Sequence, residues 1–265
     1  MSAPVAIVTG GSSGIGRATA LELVRRGCRV YEFSRRSAEV PGVTHLGCDV
    51  SDEGQFADAV REVHRREGRI DILVNNAGFG ISGAAEFTEN EQAKKLLDVN
   101  LFGMVNGCKA VLPIMREQGK GRIVNLSSVA APCAIPFQAW YSVSKAAVST
   151  YTAALNGEVK PFGVSITAVM PGDIRTGFTA AREKSPVGDD VYSGRIAKSV
   201  AVMEHDEETS MEPAVAGKRI ADIALKAKVK QEYSIGFKYQ FFCLLARILP
   251  CALKNYIIGA MYAQW

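Results

Sequence analysis

Short apolar runs alternate with longer amphipathic stretches along most of this 265-residue chain, and that rhythm restricts its fold more than any other feature. The runs Val5–Val8, Arg29–Phe33, Thr44–Cys48, Ile70–Val74, Gly121–Asn125 and Ser165–Met170 have the length and apolar content of buried strands. Residues Arg17–Arg26, Glu53–Glu67, Glu89–Glu117 and Trp140–Lys160 carry apolar positions at spacings of three and four, as helices do, and Pro161 stops the last of them. Strands joined by crossover helices pair in parallel, with helices covering both faces of the sheet. The expectation is an α/β, doubly wound parallel sheet forming a single domain over residues 1–265, with ligands at the carboxyl ends of the strands.

Composition narrows the function. A hydrophobic share of 48% provides a sizeable core, and 31 basic against 27 acidic residues leave a net charge of +4, too balanced for a nucleic-acid footprint. The cysteines at 28, 48, 108, 133, 243 and 251 and the histidines at 45, 64 and 205 lack metal-ligand spacing. Met1-Ser-Ala-Pro leads directly into the first apolar run, without a basic segment and an apolar run of signal-peptide length. A reduced, metal-free, cytoplasmic protein is expected.

Thr9-Gly-Gly-Ser-Ser-Gly-Ile-Gly16 lies between the first strand and the first helix. Gly10, Gly14 and Gly16 let backbone approach a pyrophosphate, and Ser12, Ser13 and Ile15 complete a turn that feeds a helix N-terminus, whose free amides and positive dipole attract anions. This context makes the glycines a dinucleotide signal of the Rossmann type. At the end of the second strand an acidic residue would take the ribose 2′-hydroxyl of NAD(H), whereas arginine accommodates the 2′-phosphate of NADP(H). Ser34 stands at that position with Arg35 and Arg36 after it, so NADP(H) is expected; Glu32 keeps NAD(H) open if the strand ends two residues earlier. Asp49 and Val50 end the third strand, where the carboxylate either meets an adenine amino group or caps the turn into the next helix. Asn76, Ala77 and Gly78, after the fourth strand, allow close backbone approach to a ribose or form an ordinary turn.

Tyr141 and Lys145 are four residues apart on a helical stretch, which puts phenol and ammonium on one face, and Ser128 precedes the tyrosine by thirteen residues. An unperturbed phenol titrates near ~10 and makes a poor base at neutral pH. A unit charge ~4 Å away at an effective dielectric of ~20 is worth ~4 kcal/mol, enough to stabilise the phenolate before the lysine's own desolvation is counted.

The ordered set Thr9–Gly16, Asp49, Asn75–Gly78, Asn100, Ser128, Tyr141, Lys145 and Pro171-Gly-Asp-Ile-Arg-Thr176 resembles the short-chain dehydrogenase/reductase family over roughly the first 178 residues. The resemblance implies that Tyr141 is general acid in reduction and general base in oxidation, and that Ser128, rather than Ser127, hydrogen-bonds the substrate oxygen. It implies that Lys145 binds the nicotinamide ribose and lowers the Tyr141 pKa, and that Asn100 holds a water linking Lys145 to solvent. Pro171, Gly172, Ile174 and Thr176 would cradle the carboxamide and pyrophosphate side of the cofactor, in a homodimer or homotetramer.

The substrate end is set by segments outside those motifs. Phe79 to Ser82, Val129 to Gln138 and residues 178–212 are candidate lining; the last reads either as a lid or as a solvated surface excursion. Ala130–Phe137 is almost wholly apolar, which points to a hydrophobic pocket. Residues 233–265 form an apolar, aromatic extension whose halves, broken by Arg247, Pro250 and Lys254, are too short to span a bilayer. It packs on the domain, on a partner subunit, or on a membrane surface. Phe162-Gly-Val-Ser-Ile-Thr167 and the Pro-Gly motif after it look similar to those of hydroxysteroid and keto-lipid reductases of the family. The expectation is an NADP(H)-dependent interconversion of a secondary alcohol and a ketone on a lipophilic small molecule. Alternatives are 3-oxoacyl thioesters, polar polyols, or a cofactor-sensing protein without chemistry; against the last stands the intact Ser128, Tyr141 and Lys145 set.

Overall fold

The doubly wound sheet forms, with one strand more than the apolar runs indicate. A computed structural model describes residues 3–263. The first half runs β1 (Val5–Thr9), α1 (Gly14–Arg25), β2 (Arg29–Ser34), β3 (Val43–Gly47), α2 (Glu53–Glu67), β4 (Ile72–Asn75), β5 (Ile81–Ser82), α3 (Asn90–Leu97) and α4 (Gly103–Glu117). Then come β6 (Gly121–Leu126), α5 (Ala139–Val159), β7 (Val164–Pro171), α6 (Phe178–Ala181), β8 (Glu183–Lys184), α7 (Arg195–Glu208), α8 (Pro213–Leu225), β9 (Glu232–Ile235), α9 (Phe237–Ile248) and α10 (Cys251–Tyr262). The main sheet has the order β3-β2-β1-β4-β6-β7-β9, all parallel, so the direction of winding reverses between β1 and β4. A crevice opens at that reversal.

Both faces of the sheet are covered, which explains why its central strands are apolar throughout instead of alternating. On one face Ile7, Phe33, Leu73 and Ile123 pack with Phe56, Val60 and Val111 from α2 and α4. Phe33 meets Phe56 edge-on with centroids 5.6 Å apart. On the other face Ala6, Val8 and Val74 pack with Ala20, Leu23 and Ile220 from α1 and α8.

Helix ends follow local chemistry. Asp52 caps α2 by accepting a hydrogen bond from the Gln55 amide, and Gly68 closes it in the left-handed conformation at φ 68°. The fourth strand starts two residues later than expected because the Ile70 amide donates to the Gln118 side chain and not to a neighbouring strand.

Three expectations are corrected. The helix expected over Glu89–Glu117 is two helices joined by a wider, π-type turn at Asp98–Phe102 that carries Asn100. Glu232–Ile235, partly assigned to the apolar extension, is the seventh strand, paired with β7. Residues 178–212 are not a solvated excursion. They contain α6, β8 and α7, bury Ile196, Ser199 and Met203, and place β8 against β5. Gln264 and Trp265, the end of the expected extension, lie outside the described residues.

Candidate active site

The crevice is a cleft of about 680 Å³ running from the β1–α1 turn to residues 178–212, within the usual size range for small-molecule sites. Local structure makes its cofactor end. The chain leaves β1 through Gly10 at φ 64°, and a side chain at Gly16 would sit 2.3 Å from the Gly10 carbonyl, so only glycine lets α1 start this close to the turn. Ser13 precedes α1 but its side chain makes no capping bond, and the first turn holds no acidic residue. The amides there are left to an anion. The Thr9 hydroxyl accepts from the Asn76 and Ala77 amides at 2.9 and 3.0 Å, tying the loop after β4 to the end of β1. These features fit a dinucleotide.

Of the residues expected there, Gly10, Ser12, Ser13, Gly14, Ile15, Ser34, Arg35, Asp49, Val50, Asn76, Ala77, Gly78, Pro171, Gly172, Ile174 and Thr176 all line the cleft. Gly16 stands behind it, with the packing role just given. Arg35 and Arg36 are exposed and have no acidic partner among the described residues. Glu32 is fully buried: its carboxylate meets His45 Nδ1 and the Ser34 hydroxyl, and a side chain at Gly11 would collide with its Cβ. It faces into the fold and is absent from the cleft wall. Asp49 caps the turn, since one oxygen accepts from the Ser51 amide and hydroxyl, and the residue also borders the cleft.

Ser128, Tyr141 and Lys145 meet at the middle of the cleft. Ser128 is held at the end of β6 and Tyr141 and Lys145 on the first turns of α5. Ser127 points away; its hydroxyl bonds the Lys145 carbonyl and Ser149, each at 2.8 Å. The Lys145 ammonium donates to the Leu126 carbonyl at 2.9 Å and lies 5.7 Å from the centre of the Tyr141 ring. Burial pushes the Tyr141 phenol up to about 12, against the Ser128 hydrogen bond, which acts downward. Burial also brings the Lys145 ammonium down to about 8. Desolvation disfavours the charged form of each, so it raises the acid and lowers the base. The phenol is therefore protonated at neutral pH, with desolvation outweighing the lowering from the Ser128 hydrogen bond.

Asn100 does not line the cleft. It is buried in the π-type turn, accepts from the Phe79 amide at 3.0 Å, donates to the Phe79 carbonyl at 2.9 Å, and also donates to the Ser144 hydroxyl at 3.2 Å. It braces the loop after β4 against α5, and a side chain at Gly78 would come within 2.9 Å of its Oδ1.

At the substrate end Phe79, Val129, Ala130, Ile135 and Gln138 line the cleft as expected, whereas Ile81 and Ser82 are taken up by the small sheet. Phe178 lies over Tyr141, with ring centroids 5.7 Å apart. Several groups here had no sequence signal. Arg182, wholly buried in its side chain, forms an ion pair with Glu207, which also accepts from the Thr179 hydroxyl. Asp173 accepts from the Tyr239 hydroxyl, and burial raises its carboxyl pKa. The Tyr239 ring occupies the space a side chain at Gly172 would need, so α9 closes against the cofactor strand end. Tyr262 reaches the cleft from α10. The Arg182–Glu207 pair is separated by 25 residues, and only the folding of α7 brings Glu207 inward; no spacing rule would find it.

Comparisons with known proteins show the family of the chain and its fold. The short chain dehydrogenase family matches residues 4–186. A 3-ketodihydrosphingosine reductase of Bacteroides thetaiotaomicron is 36% identical over 99% of both chains. The crystal structure of a short-chain dehydrogenase from Streptomyces avermitilis, 29% identical, superposes with a TM-score of 0.85 over 98% of this chain and 96% of that one. ElxO with NADP bound, 26% identical, gives 0.75 over 91% of this chain and all of its own.

Proposed function

This chain belongs to the short-chain dehydrogenase family, an oxidoreductase built to use a nicotinamide dinucleotide, and from that premise we propose that it reduces a lipophilic ketone to a secondary alcohol with NADPH. The observation that carries the proposal is the convergence of Ser128, Tyr141 and Lys145 between a dinucleotide cleft and an apolar wall. The bound cofactor would supply the hydride. Gly10, Ser12, Ser13, Gly14 and Ile15 would hold its pyrophosphate at the N-terminus of α1, and Asn76, Ala77, Gly78 and Lys145 its ribose.

The protein's own groups manage the oxygen. As negative charge builds on the carbonyl oxygen, the Tyr141 phenol donates its proton and the Ser128 hydroxyl donates a hydrogen bond to the same atom. With its phenol held up to about 12, Tyr141 stays protonated until that charge appears. Phe178 packs against the ring at a tilt and covers part of it. Asn100 acts on this step by bracing the Phe79 loop and α5.

Arg35 and Arg36, exposed just past β2 and without an acidic partner among the described residues, suit a 2′-phosphate, and the burial of Glu32 supports the same reading. The lipophilic reading rests on Val129, Ala130, Ile135, Phe178 and Met203 around the substrate end, and residues 178–212 are read as its lid. A keto-lipid fits that wall better than a polyol, and the full-length relative named for a long-chain keto-lipid points the same way. A panel of long-chain ketones, acyl thioesters and sugars, each offered with NADPH and NADH, tests the assignment. Faster turnover of sugars or thioesters than of long-chain ketones would overturn the substrate class.

A further inference from the structure

The two C-terminal helices are turned inside out. On α9 the residues facing solvent include Phe237, Phe241, Leu244 and Ile248, which follow one another at four, three and four residues and so form a single stripe; Phe237 is 91% exposed, Phe241 56% and Ile248 68%. On α10 Leu253, Tyr256, Ile257 and Met261 form a second outward stripe, with Tyr256 64% exposed. The inward positions, Tyr239 and Cys243 on α9 and Ile258 on α10, are buried against the domain. A soluble surface helix has the opposite arrangement, and exposed apolar area of this kind marks a binding face.

Charge indicates what covers it. From residue 233 to the end the chain has no aspartate or glutamate but carries Lys238, Arg247 and Lys254, and Lys226, Lys228 and Lys230 precede it. Arg247 is ion-paired to Glu232, which leaves Lys238 as the exposed cation beside the α9 stripe. A second copy docking through the same face would set Lys238 against the Lys238 of the other copy, whereas an anionic lipid surface meets both the apolar stripes and Lys238. No helix among the described residues is long and apolar enough to cross a membrane, so the contact is one of lying in the interface.

The same helices reach the cleft. Tyr262 of α10 borders it, and the Lys254 ammonium donates to the Pro132 carbonyl at 3.0 Å, within the apolar loop between Ser128 and Tyr141. α10 also packs on α7, the helix that supplies Met203 and Glu207 to the cleft. We propose that α9 and α10 dock the enzyme on an anionic lipid surface and that the substrate passes from that surface into the cleft beside Tyr262. The second half of this statement rests on the lipophilic-ketone reading; the first half does not.

Vesicle flotation of the full chain separates the two. Wild-type protein is expected to float with vesicles of phosphatidylcholine containing about 30% phosphatidylglycerol, to float less with phosphatidylcholine alone, and to be released by high salt. The triple variant Phe237→Ser, Phe241→Ser, Ile248→Ser changes only exposed positions and should keep the wild-type circular dichroism and its turnover of a short, water-soluble ketone. It should lose at least tenfold in vesicle binding and in turnover of a long-chain ketone presented in those vesicles. No flotation with either vesicle, or a wild-type dimer that the triple variant converts to monomer, would overturn the docking proposal by making the face an interface between copies. Flotation that the triple variant abolishes, with no long-chain ketone turned over by either protein, would leave docking intact and sink the lipid-ketone reading instead.

Discussion

The two ends of the cleft are built by different means. At the cofactor end the site is made of backbone and short side chains fixed by neighbours close in sequence or on adjacent strands: Gly10 against Gly16, Thr9 against Asn76 and Ala77. At the substrate end it is made of long side chains that three separate segments bring together: Arg182 with Glu207, Asp173 with Tyr239, and Tyr262 from α10. Groups held by near neighbours and adjacent strands can be written as a compact motif, while groups drawn from distant segments are assembled by tertiary packing. The trio proposed to be catalytic, Ser128, Tyr141 and Lys145, sits where the two meet.

The sharpest way to break that division is at the trio. Tyr141→Phe removes the proton donor but leaves the ring packed under Phe178 and the cofactor end untouched. Turnover should fall by roughly 10²–10⁴, with NADPH binding, followed by its fluorescence, unchanged. Loss of cofactor binding would mean that the two ends are one mechanical unit.

Next in size is the buried pair at the substrate end. Glu207→Leu leaves the Arg182 guanidinium buried without its counter-ion, and breaking a buried pair from one side costs about 3–5 kcal/mol. The loss should appear in urea unfolding and as a raised KM for the ketone, with KM for NADPH unmoved. Adding Arg182→Met to the same chain should restore most of the stability, because the isolated charge is then gone. A double variant as unstable as the single one would show that the pair contributes packing and not charge balance.

At the cofactor end Arg35→Ala should weaken NADPH by about ten- to a hundredfold, the loss of one hydrogen bond to a charged group at about 1.5–3 kcal/mol, and change NADH by less than about twofold. Equal losses for both cofactors would remove the 2′-phosphate from the argument.

The same division decides what could be read before folding. The parallel sheet and the place of six of its strands, to within a residue or two, were legible because each depends on period along the chain. The break at Asp98–Phe102 was not, since apolar spacing continues through a π-type turn almost unaltered and only the hydrogen bonds of Asn100 reveal it. Glu32 looked like a cofactor ligand by position, and its burial beneath Gly11 depends on strand register with His45. Glu207 lay in an acidic run that reads as solvated surface, yet α7 turns one carboxylate of that run inward. The outward stripes of α9 and α10 were visible as apolar density, but which side of each helix faces the domain was not.

The smallest effect concerns how far burial tunes the trio. The Lys145 ammonium is brought down to about 8, from an ordinary value of 10.5, because burial favours its neutral form. Two observables then move in opposite directions as pH rises. With an ammonium needed at the ribose, kcat/KM for NADPH should fall about fivefold between pH 8 and pH 9, because kcat/KM reports the free enzyme. Stability should shift the other way. Between about pH 8 and 10.5 the unfolded chain still holds the lysine proton that the folded chain has released, so unfolding becomes less favourable as pH increases; the penalty for burying the charge is full below pH 8. Five thiols, those of Cys28, Cys48, Cys108, Cys133 and Cys243, are raised by burial and pull stability down above about pH 9. The measurement is therefore the difference between wild type and Lys145→Met, in which the thiols cancel. That difference should move in favour of wild type from pH 8 to 10 while its cofactor kcat/KM falls. If both decline together, the ammonium is stabilised by the fold, and Lys145 belongs with the compact cofactor end and not with the desolvated junction.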